Sequence, residues 1–485
     1  MEKVCLITPP SGFLLDDRVF PSLGILKVAA ALEENEQYIV QHIDLSGISD
    51  FTKELKHLVV HSGVKKFGIT ATTPQIPAAI QVARTIRITV PDARIVLGGP
   101  HVTMITASNR KPTGGTKRAA NAVATLLNEF DCIVAGDGEK ASLEAFSATS
   151  NVVIDADNDK SPLFLKKDDL NRQLLPSRHL IDLYSYKYTI DGEPATSMIA
   201  QLGCPFACGF CGGRMSPTFR RVRIRSTNAV LDEMHYLHDH YGFRALMLYD
   251  DELNVNKNMF ELMYGIRNLG IELGFQWKLR GFIKAELFDD RQAEAMAEAG
   301  FRWILVGFES GSERILDNIN KKATKEDNTN CLRIARKHGI KVKALMSLGH
   351  PGESAETVKE TVEWLLEERP DDFDMTVITT YPGTPYYDES IQVSSSMWMY
   401  STRNGDRLHS KDVDFTRIAD YYKGIPGNYK SHVWTDYLSS DAIVLLRDEA
   451  ETVVRKALGL LPNTIPTRYD ASMGQLPGSM LKLQR

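Results

Sequence analysis

Three thiols fall within eight positions of this chain, in the run Cys204-Pro205-Phe206-Ala207-Cys208-Gly209-Phe210-Cys211. CxxxCxxC spacing within one loop is a metal-ligand pattern. Four ligands would close a structural zinc site. Three can hold three irons of a 4Fe-4S cluster and leave the fourth iron open, a departure from four-cysteine ligation. An open iron can bind a substrate or cofactor directly. Gly203, Gly209 and the pair Gly212-Gly213 let the backbone fold tightly around such a group, and Phe206 and Phe210 supply apolar shielding. Two other readings stand beside this one: a zinc knuckle with a distant fourth ligand, or three unrelated buried cysteines. No CxxC or HxxxH partner lies nearby, which counts against zinc. The other three of the six cysteines, Cys5, Cys132 and Cys331, are scattered and read as small buried hydrophobes.

The elements around the triad tell what must position it. Residues 196–202 read as a strand leading into the cysteines. Strands follow at 245–249, 275–282, 303–308, 341–348 and 375–380, with helices between them at 227–240, 259–269, 290–299, 324–338 and 355–368. Asn228 is the expected cap of the first of these helices. Six parallel units with short turns predict an open (β/α)6 partial TIM barrel, whose active site sits at the strand carboxyl ends. Upstream, strands at 3–8, 38–43, 66–70, 93–97 and 132–135 alternate with helices at 23–34, 76–89 and 116–129. That pattern predicts a doubly wound, Rossmann-like domain that binds ligands beyond its strand carboxyl ends. The expected domains are 1–150, a linker at 151–190, the barrel at 191–395, and a mainly helical C-terminal region at 396–485. The last region has a helix at 442–458, preceded by Tyr421, Tyr422, Tyr429, Trp434 and Tyr437.

Composition removes several classes. The 485 residues carry 57 Lys plus Arg and 62 Asp plus Glu, a formal net charge of −5. A strongly basic nucleic-acid binder is therefore not the first reading. Charged residues at 25% and hydrophobic ones at 43% exclude wholesale disorder and a coiled-coil rod. Six cysteines are too few for a disulfide scaffold of this size. No secretory signal opens the chain, no apolar run reaches 18 residues, and TRYDASMGQLPGSMLKLQR carries no retention or lipidation signal. A cytoplasmic protein is expected, where clustered thiols mean metal or redox chemistry. The run Arg214, Arg220, Arg221, Arg223 and Arg225 has a functional reading as a phosphate or RNA contact. A set of solvated or locally salt-bridged cations is favoured over it.

CxxxCxxC after the first strand of a six-unit barrel resembles the radical S-adenosylmethionine (SAM) superfamily. Tyr249-Asp250-Asp251-Glu252, Arg280, Gly307-Phe308-Glu309-Ser310-Gly311-Ser312, Gly349-His350-Pro351-Gly352-Glu353 and Tyr381-Pro382-Gly383-Thr384-Pro385 extend the match. The N-terminal part resembles the cobalamin-binding domain that precedes the barrel in one branch. Pro9-Pro10, Pro21-Ser22-Leu23-Gly24, Gly98-Gly99-Pro100-His101 and Gly136-Asp137-Gly138-Glu139 carry that likeness, which covers roughly residues 1 to 390.

The resemblance implies a 4Fe-4S cluster on Cys204, Cys208 and Cys211. Its open iron chelates SAM and reductively cleaves it to a 5′-deoxyadenosyl radical that abstracts a substrate hydrogen. It further implies methyl transfer from cobalamin to an unactivated carbon of a small molecule or peptide. The electron comes from an external flavodoxin- or ferredoxin-type reductant, and neither a membrane nor a nucleic acid is an expected partner. By the same resemblance, Gly212, Gly213, Arg280, Glu309 and Ser310 contact SAM; Arg280 has a second reading as an ordinary salt-bridge partner, and Glu309 as a cap of the next helix. Thr70, Thr72, Gln75, Gly98, Gly99, Pro100, His101, Gly136, Gly138 and Glu139 contact cobalamin. Asp250, Asp251 and Glu252 face SAM or substrate, or form a solvated acidic turn. The Asp-x-His-x-x-Gly cobalamin signature is absent, and the loop from Pro10 to Pro21 has no histidine. Either cobalamin binds without a histidine below cobalt, or the domain has lost it. Alternatives to methyl transfer are a rearrangement, cyclisation or oxidation with the same cofactors, and a zinc-stabilised RNA-binding module.

Overall fold

The computed structural model describes residues 1–11, 18–110, 116–148, 151–172, 174–421 and 429–462. The middle of the first loop, Tyr422 and the TRYDASMGQLPGSMLKLQR tail lie outside the described residues.

The N-terminal sheet is parallel throughout and holds six strands: β1 (Glu2–Thr8), β2 (Tyr38–Asp44), β3 (Lys66–Thr70), β4 (Arg94–Gly98), β5 (Cys132–Ala135) and β6 (Val152–Asp155). Their order is β2-β1-β3-β4-β5-β6. Strand interiors are apolar on both faces, as Val4, Leu6 and Ile7 show, because helices cover both sides of the sheet. The order reverses between β1 and β3, so the crevice for a ligand opens at their carboxyl ends. β6 falls in the stretch expected as linker. It runs beside β5 with Cys132 opposite Val152 and Ala135 opposite Asp155. A four-residue strand bounded by polar turns leaves little periodic trace in sequence.

The second sheet carries β7 (Thr189–Ile190), β8 (Glu193–Met198), β11 (Ala245–Leu248), β12 (Lys278–Ile283), β13 (Phe301–Glu309), β14 (Lys341–Leu348) and β15 (Asp372–Val377). β9 (Gln201–Leu202) and β10 (Arg223–Ile224) form a separate small hairpin. The large sheet runs β15-β14-β13-β12-β11-β8-β7. The six strands from β8 to β15 are parallel, which is the open (β/α)6 barrel, and β7 adds a short antiparallel strand at one edge. Alternation sorts the side chains: Leu246, Leu248, Ile304 and Val306 pack under the helices. Ala245, Met247, Trp303 and Leu305 form a separate cluster on the lumen face. The helix Thr227–Tyr241 is capped by Ser226, whose side chain accepts from Ala229 N, and not by Asn228. Asn228 lies already inside the first turn.

β15 is an edge strand, and the C-terminal region completes it with side chains. Arg455 donates to Phe373 O (2.5 Å), Arg447 to Met375 O (2.8 Å), and Glu451 accepts from Met375 N (3.2 Å). Tyr429 Oη accepts from Val377 N at 2.8 Å. These groups stand in for a neighbouring strand and blunt an edge that would otherwise invite pairing. Three of them come from the helix Ser440–Leu458. Before that helix the region also holds an antiparallel sheet of β16 (Ile391–Ser394), β17 (Met397–Ser401), β18 (Arg407–Lys411) and β19 (Val433–Thr435). Among the described residues, no helix is long and apolar enough to cross a membrane.

Candidate active site

The cysteine loop follows β9 at the carboxyl end of the barrel, and local backbone demands shape it. Gly203 has φ +86°, and a Cβ there would lie 2.2 Å from Arg221 O, so no side chain fits. Gly203 N donates to Asp251 at 3.0 Å, Cys204 N to Phe219 O at 2.8 Å and Gly209 N to Ile319 O at 2.8 Å. Asn320 Nδ2 donates to Ala207 O at 2.8 Å. The loop is thus pinned from both sides, and its three thiols are left unbridged. Burial pushes Cys204 up to about 12 and Cys211 up to about 11, and raises Cys208 as well. Cys211 keeps an exposed surface, but enough protein surrounds it to disfavour the thiolate. Metal coordination would draw off those protons. Among the described residues, no three His, Cys, Asp or Glu side chains come together around one ion.

Two cations face the loop. Lys284 Nζ lies 4.4 Å from the Phe206 ring centre, and Lys321 Nζ donates to Glu309 at 3.1 Å. Both lysines are buried. Lys284 Nζ also donates to Lys321 O and pairs with Glu286. Opposing carboxylates, with Glu309 first among them, hold the Lys321 ammonium above its usual range despite burial. Glu309 sits at φ +65°, a strained conformation for a residue with a side chain. A Cβ on Gly307 would lie 2.6 Å from Glu309 Oε1, so Glu309 folds back over a glycine. From Glu309 a chain of hydrogen bonds runs through Ser347 Oγ (2.7 Å) to His350 (2.7 Å) and on to Tyr386 Oη (3.4 Å). Burial lowers His350 to about 4, so its ring is neutral. Phe210 meets that ring edge-on at 5.2 Å.

The acidic turn after β11 is only partly solvated: Asp251 is exposed, whereas its neighbours are not. Asp250 is 1% exposed and accepts from Ala200 N (2.7 Å) and Gln201 N (3.2 Å); burial raises it to about 7. Glu252 also rises to about 7 by burial, and its Oε2 is buried without a hydrogen-bond partner. Lys321 and Lys284 are the cations nearest to it in effect.

The expected SAM contacts divide. Gly212 and Gly213 follow the triad directly. Gly212 faces Met104, whose Sδ a Cβ would meet at 2.5 Å, and Gly213 packs on Phe219. Glu309 joins the lysines. The Ser310 hydroxyl is already bonded to Thr361 Oγ1 (3.0 Å) and Ser312 N (3.1 Å), so it ties the turn to a helix. Arg280 lies near the amino end of β12, fully buried, donating to Tyr188 Oη at 3.0 Å and standing over the Trp303 ring. Those contacts belong to the lower lumen. Lys284 was missed as a candidate, although it follows Arg280 and Phe282 at alternate positions and ends the strand where barrel sites form.

The expected cobalamin contacts gather at the carboxyl ends of β3, β4 and β5. Gly99 (φ +103°) and Gly136 (φ +90°) sit where a Cβ would press on neighbouring backbone, 2.8 Å from Ala71 and 2.5 Å from Ala156. Gly138 faces Val28. Gln75 Oε1 accepts from Thr72 N and Oγ1, and its amide donates to Pro9 O across the crevice at 2.9 Å. Thr70 ends β3 beside Gly98, the last residue of β4. Pro100 opens the helix Pro100–Asn109. His101 is buried, is lowered to about 3 by burial and bonds Thr73 Oγ1 at 3.1 Å, so it is held inside the domain. Burial raises Glu139 to about 7.

The helix Pro100–Asn109 joins the two sites. Beyond Met104 on Gly212, Ser108 donates to Asp388 (2.5 Å), which also accepts from Gly383 N (3.3 Å). A Cβ on Gly383 would lie 3.0 Å from Gly212 O. Farther along, Arg118 is sandwiched between the rings of Tyr387 (3.7 Å) and Trp398 (3.6 Å), and donates to Tyr387 O, Ser390 and Asp412. Of the arginine run, Arg221 pairs with Asp159, Arg223 with Asp137 and Arg225 with Glu233. Local ion pairing therefore accounts for those three.

Residues 198–365 match the radical SAM superfamily. An uncharacterized methyltransferase of Pyrococcus horikoshii is 27% identical over 412 residues, covering 80% of this chain and 83% of its own. The anaerobic magnesium-protoporphyrin IX monomethyl ester cyclase of Cereibacter sphaeroides is 25% identical over 378 residues, 74% of this chain and 58% of its own. Among solved structures, the radical S-adenosylmethionine methyltransferase TsrM of Kitasatospora setae, with cobalamin and a 4Fe-4S cluster bound, superposes with a TM-score of 0.65. It is 17% identical, and the match covers 94% of this chain and 91% of that one.

Proposed function

We propose, from the match of residues 198–365 to the radical SAM superfamily, that the protein is a cobalamin-dependent radical SAM C-methyltransferase. The observation that carries the reading is the contact of Met104 with Gly212. It sets the helix that starts at the Gly99 turn directly against the backbone that follows Cys211. The strand-end loops of the two sheets are therefore adjacent, which a methyl donor and a radical generator require. The likeness to methyltransferases along most of the chain supports it.

When bound, the cluster and SAM supply a 5′-deoxyadenosyl radical that removes a substrate hydrogen, and cobalamin supplies the methyl group. The protein's own part is positional. Cys204, Cys208 and Cys211 would hold the cluster. Gly212 and Gly213, packed on Met104 and Phe219, would present backbone polar groups to the amino end of SAM. Lys284 and Lys321 offer the carboxylate of SAM a positive field, with Glu309 orienting Lys321 through its hydrogen bond. Thr70, Thr72, Gln75, Gly98, Gly99, Gly136 and Gly138 make a low, backbone-lined ledge that suits a flat ring. The neutral, internally bonded His101 fits cobalamin held without a histidine below cobalt. We place the protein in the cytoplasm, with an external one-electron reductant and a small-molecule or peptide substrate.

Anaerobic reconstitution tests the reading. About four irons per chain, dithionite-dependent 5′-deoxyadenosine and cobalt absorbance after growth with cobalamin are expected. Stoichiometric zinc without iron would sink it. A second reading keeps both cofactors but closes a ring, and the cyclase relative supports it. Product mass separates them: methyl transfer adds a methylene, whereas ring closure by oxidation removes hydrogen.

A further inference from the structure

We propose that the basic face formed by Lys166, Lys167 and Arg221 is the docking surface for an acidic one-electron carrier protein that reduces the cluster. The proposal rests on the radical SAM reading given above.

Position argues for it first. The backbone of residues 219–221 lies directly behind the cysteine loop, through Cys204 N on Phe219 O and the close approach of Gly203 to Arg221 O. On the other side of that strip the Arg221 side chain is 59% exposed. One layer of backbone thus separates Cys204 from this face. The hairpin of β9 and β10 ties the strip down, and Arg223 anchors it by donating to Leu165 O at 2.9 Å. That bond brings residues 164–167 alongside, so Lys166 and Lys167 join Arg221 around a shallow depression of about 370 Å³.

Charge argues for it second. The chain as a whole is acidic, at −5. On this face Lys166 and Lys167 are exposed and have no ion pair among the described residues. Arg221 shares Asp159, and Asp169 is occupied by Lys140, which leaves Asp168 as the acid beside the two lysines. A positive patch on a negative protein selects an oppositely charged partner and speeds its encounter. A nucleic acid would need a longer run of phosphate-facing cations than this. The one partner the chemistry demands is an electron donor. In the step served here, one electron leaves the reduced carrier and enters the cluster. The carrier is oxidised by one electron, the cluster is reduced by one, and no bond forms or breaks.

The test uses the reconstituted full-length protein and two electron sources, dithionite and fully reduced flavodoxin. Its variants are Lys166→Glu/Lys167→Glu, Arg221→Gln, and a distant control, Lys53→Glu/Lys56→Glu. With flavodoxin at low salt, the first variant should lower 5′-deoxyadenosine formation by about 10-fold and flatten its salt dependence. Arg221→Gln should lower it less, and the control should leave it unchanged. With dithionite all variants should match the wild type. Equal rates with flavodoxin in all variants would overturn the docking proposal. So would an equal loss with both reductants, which would mean structural damage. If the wild type cleaves no SAM even with dithionite, the radical SAM reading itself fails, a result distinct from either.

Discussion

The two strand-end sites are built from opposite materials. The N-terminal sheet offers glycines, threonines and backbone at its carboxyl edge, with its histidine turned inward and neutral. The barrel offers thiols, two buried lysines and a set of carboxylates held together by mutual charge. The first suits a large ligand that is shaped by contact and brings its own chemistry. The second suits a charged ligand and a metal cluster, for which the protein must supply the field. A single helix, Pro100–Asn109, touches both.

Changes at the cysteines should break the comparison on one side only. Cys208→Ala is expected to abolish iron loading and SAM cleavage while cobalt absorbance persists; loss of both would show that the sites are not separable. The converse change is Gly99→Val, where a Cβ at φ +103° meets Ala71 backbone at 2.8 Å. It should cost about 1–3 kcal/mol and cobalamin binding, and leave the iron content unchanged. Arg118→Ala removes the clamp that holds the N-terminal domain to the C-terminal sheet. A loss of about 2–3 kcal/mol in denaturant unfolding is expected, together with a larger radius by solution scattering of the apoprotein. More 5′-deoxyadenosine per methylated product should accompany it.

A further effect concerns pH. Burial raises the Glu353 carboxyl from 4.5 to about 7, although it accepts from Thr357 and Gly349. A pKa raised on folding contributes stability below the unfolded value that is lost as pH rises through the folded one. The expected slope is at most about 1.4 kcal/mol per pH unit between pH 4.5 and 7. Glu353→Gln should flatten it, as read from unfolding midpoints at pH 5 and pH 8. An unchanged difference between wild type and variant across that range would refute the burial argument.

Much of this architecture was legible in the chain. Strands that read as continuous apolar runs and the helices between them fall where the sequence places them, because burial on both faces of a sheet and on one face of a helix writes itself into the local pattern. Cys5, Cys132 and Cys331 lie at 2%, 0% and 1% exposure, as their apolar neighbours indicate. Some short strands were not legible. β6, β7 and the C-terminal sheet are stabilised by partners rather than by their own pattern. Nor was the depth of a side chain in the barrel. Arg280 lies within β12 and Lys284 just past its end, and only the strand's placement puts Lys284 beside the cysteine loop and Arg280 beside Tyr188.

The sequence by itself determined the candidate ligand set. Three thiols within eight residues need no fold to be neighbours, since chain connectivity alone holds them close. Tertiary structure decided everything that joins distant segments. Ser108 meets Asp388 across 280 positions, and Arg118 meets Ser390 across 272. The edge of β15 is closed by residues 52 to 82 positions farther along the chain. Such pairs leave no local signature, because each partner satisfies its chemistry only once the other has been brought to it.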